Sequence, residues 1–264
     1  MSGTPHHIER GEGPAVVFLH GIGGDAESWL PELEALADRY RAIAWDMPGY
    51  GGSPALPEMT FPALAGALQD MLDKLDIGRA HLAGHSIGGM VALEFAAAFP
   101  DRVASLVLYA TSPAFGKPDG DWQRDFLKVR LAPLDAGRRL ADLAPSIVES
   151  LVADDPDPDG IARATAAMGR VLEAAYRTAM QCLVTFDRRD ALPGISVPTL
   201  VLAGENDDNA PAAMMERMAV KIPGARFQVI PGAGHLAHFE RPEAFRAALD
   251  AFLERTITEG ATAT

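Results

Sequence analysis

Three features of the sequence predict an α/β fold, a mostly parallel central sheet flanked by helices. Short β-rich apolar runs alternate with segments of helical period, the pattern of βαβ units. Glycine and proline turn signals close those runs. The 264 residues suit one large α/β domain, or a core carrying a modest insertion.

Taken in order, 16–20 (VVFLH) is a continuous apolar run closed by glycines, which predicts a strand buried on both faces. A second strand is predicted at 41–46, ended by Pro48 and Gly49, and a short third at 81–83. The remaining strands fall at 103–109, 199–203 and 226–230. Helical periods occupy 31–40, 61–75, 87–99, 211–220 and 242–254. Pro31, Pro211 and Pro242 each stand where a helix can begin, because proline at the first helical position loses no hydrogen bond.

The alternation breaks once, between Pro113 and Asp190. This stretch reads as helices and loops punctuated by Pro118, Pro133, Pro145, Pro156 and Pro158. It predicts a helical lid inserted after the fourth strand (113–190), with 1–112 and 191–264 forming the core. The insertion is nearly balanced in charge, so most of the formal −13 resides on the core. Its arginines are expected chiefly on solvated helix faces, a few of them facing a ligand. The tail from Thr256 is expected to be disordered.

Composition excludes several classes of function. The 48% hydrophobic content is that of a globular protein. A net −13, with no dense Lys/Arg cluster, argues against nucleic-acid binding. No apolar run approaches a membrane span, and the opening residues lack the apolar core of a secretory signal. A cytoplasmic protein is expected. The single Cys182 can form neither an internal disulfide nor a cysteine zinc site. His6 and His7 have no ligand partners at metal spacing and are expected on the surface of a flexible terminus; no metal or cofactor is expected.

Gly84-His85-Ser86-Ile87-Gly88 follows a predicted strand and opens a predicted helix, the G-x-S-x-G elbow in its required context. A serine on such a turn is strained and exposed, and the glycines beside it leave room for the neighbouring strand and helix. Serine needs a base, and the base an orienting carboxylate. With this elbow the chain order should be Ser, acid, His, each after its own strand. Asp207 follows the fifth predicted strand and His235 the sixth, both at the carboxyl edge where such sheets place their sites. Glu205 and Asp208 are rival acids and His238 is a rival base. The oxyanion would be held by the backbone N–H groups of Ile87 and of Ile22, in the loop after the first strand. That loop also imitates a dinucleotide fingerprint, Gly21-x-Gly23-x-x-Ala26 with Asp46 about twenty residues on. Against this, the helical pattern starts only near Pro31, and no nucleotide site explains Ser86, Asp207 and His235 in that order.

These residues, with His20-Gly21, the 46–53 stretch (DMPGYGGS), Gly89 and Pro100-Asp101-Arg102-Val103, resemble the α/β-hydrolase superfamily over nearly the whole chain. Within it, Gly204-Glu205-x-Asp207, the 222–226 stretch (IPGAR), His235-Leu236 and Glu240-x-Pro242-Glu243-x-Phe245 are most similar to 3-oxoadipate enol-lactonases and related esterases, and a 130–137 stretch adds to the likeness. The family's opening antiparallel strands look cut short here, and the insertion lacks the Arg-Trp-Phe run of the enol-lactonase lid. Serine at 86 speaks against dehalogenase and epoxide-hydrolase chemistry, whose nucleophile is aspartate. The resemblance implies a serine hydrolase of small esters or lactones with no cofactor. Expected substrate contacts are His20, Gly21, His85, Trp122 and Arg130; Trp29 and Trp45 are expected to pack. Alternatives are a C–C bond hydrolase of ring-cleavage diketones, a cofactor-free perhydrolase or haloperoxidase, and a non-catalytic ligand-binding member. The expected partner is the small substrate, with a homodimer compatible and no nucleic acid or membrane.

Overall fold

In the computed structural model, which describes residues 4–116 and 120–261, seven strands form one sheet. They are β1 (His7–Arg10), β2 (Ala15–Leu19), β3 (Arg41–Trp45), β4 (Ala80–His85), β5 (Val103–Tyr109), β6 (Thr199–Gly204) and β7 (Arg226–Ile230). The order is β1-β3-β2-β4-β5-β6-β7, with β1 antiparallel to β3 and every other pairing parallel. The six predicted strands are all present, two of them with the predicted bounds. Sequence reading missed β1, whose four residues HIER are only half-buried at the sheet edge and carry no apolar run.

The core helices are α1 (Leu30–Leu36), α2 (Phe61–Lys74) and α3 (Ile87–Ala98). Between β5 and β6 lie α4 (Asp121–Asp135), α5 (Leu140–Glu149), α6 (Pro158–Arg170) and α7 (Glu173–Leu183). The chain then forms α8 (Ala212–Ala219), the short α9 (Ala237–Glu240) and α10 (Pro242–Ala261). Both faces of the sheet are covered, which is why β2 and β4 are buried at every position. Successive strand residues serve opposite layers. Val17, Leu19, Ile43 and Leu82 pack with α2, α3 and α4–α7. Val16, Phe18, Ala42 and Leu200 pack with α1 and α10.

Several local expectations are corrected. Pro31 is the second residue of α1 and Pro211 is the cap before α8, so only Pro242 opens its helix. Pro133 and Pro145 lie inside α4 and α5. Pro133 falls in the last turn, where the helix is already ending; burial of Leu140, Leu143, Ala144 and Val148 outweighs the bond lost at Pro145. Pro118 lies outside the described residues. The C-terminal helix runs past Thr256 to Ala261, because Phe252 and Leu253 anchor it in the core and extension of a formed helix costs little. Residues 262–264 lie outside the described residues.

His6 lies at the surface as expected but is held in place. Its Nδ1 lies 2.7 Å from Asp46 Oδ2 and its N–H donates to Ser53 Oγ at 2.7 Å. Asp46 also accepts from the N–H groups of Ala26 (2.8 Å) and Gly52 (3.0 Å). A carboxylate so engaged is not open to a ribose, which removes the dinucleotide resemblance.

At the base of the α4–α7 segment, Phe115 N–H donates to Phe186 O (2.9 Å) and Arg188 N–H to Pro113 O (2.8 Å). The Arg188 guanidinium grips buried Glu94 of α3 at 2.5 and 2.6 Å. Among the described residues, no helix is long and apolar enough to cross a membrane.

Candidate active site

The elbow follows from steric need. Ser86 sits at φ 54°, ψ −120°, a left-handed conformation that a non-glycine residue adopts only under strain. Two glycines make the turn possible. A Cβ on Gly84 would lie 2.4 Å from Gly88 O, and one on Gly88 would lie 2.2 Å from Leu19 O. The strained residue is tied down on both sides: Ser86 N–H donates to Tyr109 O (3.0 Å), and Thr111 Oγ1 donates to Ser86 O (2.7 Å).

Asp207 and His235 meet at the same sheet edge. Asp207 Oδ2 lies 2.8 Å from His235 Nδ1, and its other oxygen accepts the N–H groups of Asn209 (2.8 Å) and Ala210 (2.9 Å). Burial pushes the Asp207 carboxyl up; His235, by charge and hydrogen bond, and the two backbone donors outweigh it and hold the group below its ordinary value. A carboxylate acceptor requires that Nδ1 carry the proton, which leaves Nε2 with a free lone pair. The rivals are otherwise engaged. Glu205 accepts from Gly232 N–H at 2.8 Å, and Asp208 is exposed. His238 is buried, stacked on Trp29 at 4.5 Å, with Nδ1 3.2 Å from Tyr109 Oη.

Ser86 and His235 line one cavity of about 390 Å³. Among the described residues the Ser86 hydroxyl has no hydrogen-bond partner; the structure brings it into the cavity with His235 without bonding the two. Ile22 lines the same cavity, while the Ile87 side chain packs in the core, so only its backbone can serve the site. The N–H of Ile87, in the first turn of α3, has no carbonyl one turn back to bind.

His20, Gly21, His85, Trp122 and Arg130 all line the cavity. His20 is committed elsewhere: Nδ1 donates to Gly21 O (2.7 Å) and Nε2 accepts Met47 N–H (2.9 Å), which pins the loop carrying Ile22. Burial holds its imidazole below the ordinary value. Trp122 is 59% exposed and meets Phe115 and Phe126 at 5.2 and 5.6 Å. The Arg130 guanidinium stands 5.5 Å over the Phe126 ring. Among the described arginines of the insertion, only Arg130 lines the cavity; Arg139, Arg170, Arg177, Arg188 and Arg189 are ion-paired.

Sequence reading missed Tyr109 and Thr111. Tyr109 ends β5 and Thr111 follows it by two residues. The bond of Thr111 to Ser86 depends on the β4–β5 pairing and that of Tyr109 to His235 on the β5–β6–β7 order, neither of which a single strand encodes.

A strained serine on a strand-to-helix elbow, with a carboxylate–imidazole pair on later strands of one parallel sheet, defines a class, and the comparisons agree with it. Residues 14–242 match the model of the alpha/beta hydrolase fold, and the chain belongs to that family. It is 31% identical over 244 residues to 3-oxoadipate enol-lactonase 1 of Acinetobacter baylyi, covering 91% of this chain and 89% of that protein. A thermophilic esterase from Thermogutta terrifontis superposes with a TM-score of 0.87 at 30% identity, over 95% of this chain and 93% of that one. The enol-lactonase of Burkholderia xenovorans superposes with a TM-score of 0.83 at 28% identity, over 94% and 96%.

Proposed function

We propose that this chain is a serine hydrolase of small carboxylic esters or lactones. The observation that carries the reading is the Asp207–His235 pair, 2.8 Å apart, sharing one cavity with the strained Ser86. His235 Nε2 takes the proton as Ser86 Oγ attacks the carbonyl carbon. The N–H groups of Ile22 and Ile87 receive the developing oxyanion, each worth about 3–4 kcal/mol by analogy with other acyl-transfer sites. His235 returns the proton to the leaving oxygen, and water then releases the acid by the same path. Asp207 holds the imidazole in the required tautomer and stabilises the transient imidazolium.

Residues 113–190 act as a lid over the acyl pocket, with Trp122 and Arg130 as substrate contacts. Two further points favour esters and lactones over other substrates of such a triad. The sequence is similar to an enol-lactonase along nine-tenths of its length, and the neighbouring folds include an esterase.

The decisive measurement is turnover of p-nitrophenyl acetate and labelling by a fluorophosphonate in wild type and Ser86→Ala. The variant loses labelling and about 10⁶-fold in kcat, the loss found when the serine of a serine protease is removed. Retained turnover in the variant overturns the reading. Comparing an enol-lactone, a short-chain ester and a vinylogous diketone then assigns the bond cleaved.

A further inference from the structure

Glu240 in α9 is 1% exposed, and its carboxylate receives three main-chain donors. Oε1 accepts Leu236 N–H at 2.9 Å; Oε2 accepts Gly234 N–H at 2.9 Å and Ala153 N–H at 2.7 Å. Two of these donors flank His235 directly. The third belongs to the segment joining α5 to α6.

That segment is interlocked with the histidine loop. His235 N–H donates to Leu151 O at 2.8 Å. A Cβ on Gly234 would lie 2.8 Å from both Leu151 O and Ala153 N. One on Gly160, at the start of α6, would lie 1.9 Å from Phe239 O. Arg241 Nη1 donates to Asp155 O at 2.7 Å.

Hydrogen bonds to a buried carboxylate are stronger than neutral ones, and the charge is costly to bury unless those bonds are all made. Among the described residues no cation pairs with Glu240, so backbone dipoles alone compensate it. The three donors must therefore converge for the carboxylate to be stable, and when they do, the backbone on both sides of His235 is fixed relative to residues 151–153.

We infer that Glu240 is the positioning residue for His235, holding the base through both flanking amides and making its orientation depend on the docked α5–α6 segment. This rests on the serine-hydrolase reading above. The α4–α7 insertion is thereby part of the support of the base as well as a cover for the pocket.

The test is Glu240→Gln beside Glu240→Asp and Ser86→Ala. Glutamine keeps the shape but turns one acceptor into an NH₂ that faces a backbone N–H. Each variant is assayed for kcat and KM on p-nitrophenyl acetate, fluorophosphonate labelling rate and melting temperature. In Glu240→Gln, kcat and the labelling rate fall about 100-fold, the scale of a 1 Å misplacement at a reacting centre. KM stays within about twofold, since ester binding is untouched. Glu240→Asp, which keeps the charge, recovers part of the loss.

Wild-type kcat and labelling in Glu240→Gln overturn the inference. So does a joint collapse of kcat, KM and melting temperature in both Glu240 variants, which makes the residue a support of the fold alone. Retained activity in Ser86→Ala instead overturns the serine-hydrolase reading, whatever Glu240 does.

Discussion

The Nε2 of His85 lies 2.9 Å from the main-chain carbonyl of His235, 150 residues away in sequence. A carbonyl only accepts, so Nε2 carries the proton of a neutral ring. Tyr109 Oη donates to the same oxygen at 3.1 Å, and the Tyr109 ring lies against His85 at 4.8 Å. The residue beside the candidate nucleophile thus grips the backbone of the candidate base.

His85→Phe keeps the ring and its packing but removes this donor. The expected loss of stability is about 1 kcal/mol, one buried hydrogen bond with the acceptor still served by Tyr109. On the proposed mechanism kcat falls more than KM rises, because the ester does not bind to this carbonyl. Steady-state kinetics with a thermal melt check it; unchanged kcat removes His85 from any role in holding the base.

His85 also predicts a pH effect. Burial, then the neighbouring His235, pushes its imidazole down to about 3. The unfolded ring titrates near 6.5, so between pH 6.5 and about 3 the unfolded chain binds a proton that the folded one refuses. Stability contributed by the neutral ring is complete above pH 6.5 and drains away as pH falls. His81, pushed by burial down to about 4, acts in the same direction. Melting temperature should therefore drop steeply from pH 6.5 to 4, and His85→Phe should flatten that slope. An identical slope in the variant contradicts the assignment.

Arg170, at the end of α6, holds the insertion to the loop after β2. Its Nε lies 2.8 Å from Asp25 Oδ2, and its Nη2 lies 3.1 Å from Glu27. Asp25 in turn accepts Ser28 N–H at 3.0 Å and caps the short helix Ala26–Trp29. Two residues earlier in α6, Met168 packs on Gly23, where a Cβ would lie 2.3 Å from its methyl. The guanidinium is half-exposed, so Arg170→Met costs under about 1 kcal/mol of stability. Its effect falls on kcat/KM, through a looser α6 above Ile22. Salt tests the cause: raising ionic strength toward 1 M shortens the screening length to about 3 Å. It should lower kcat/KM in wild type and leave the variant flat.

What the sequence made legible was whatever a single segment encodes. Val103–Tyr109 is a strand at the predicted bounds because a buried parallel strand must be largely apolar. Arg226–Ile230, an edge strand with only Ile230 fully buried, keeps its predicted bounds because clear turn residues bound it on both sides. Asp207 and His235 stand where strand ends put them, and their 2.8 Å contact needs only the β6–β7 pairing. The four-residue β1 was silent because edge strands need no apolar run. The pairings of His6 with Asp46, His85 with His235 and Glu240 with Ala153 are equally silent: each joins segments 40 to 150 residues apart, and nothing local marks the pairing. The path of the insertion was illegible for a further reason. Pro145 is a breaker by propensity, and tertiary packing of α5 overrides it.

Glu32 carries the opposite pH signature to His85. It lies in α1, 1% exposed, with Oε1 unpartnered. Burial raises its carboxyl to about 8, against the smaller opposing effects of its own backbone N–H, Arg246 and Arg163. The unfolded carboxyl titrates near 4.5. Between 4.5 and about 8 the folded chain therefore holds a proton that the unfolded chain releases, so this contribution to stability is complete below pH 4.5 and lost as pH rises through 8. Glu32→Gln imitates the protonated form at every pH. Its melting temperature should match wild type at pH 4.5 and exceed it at pH 8, with the gap widening in between. Since the Glu32 carboxyl takes no part in the proposed chemistry, kcat at pH 7 should be unchanged. A variant that melts below wild type at pH 8 shows that the carboxylate is ionised and satisfied in the folded protein, and reverses the assignment.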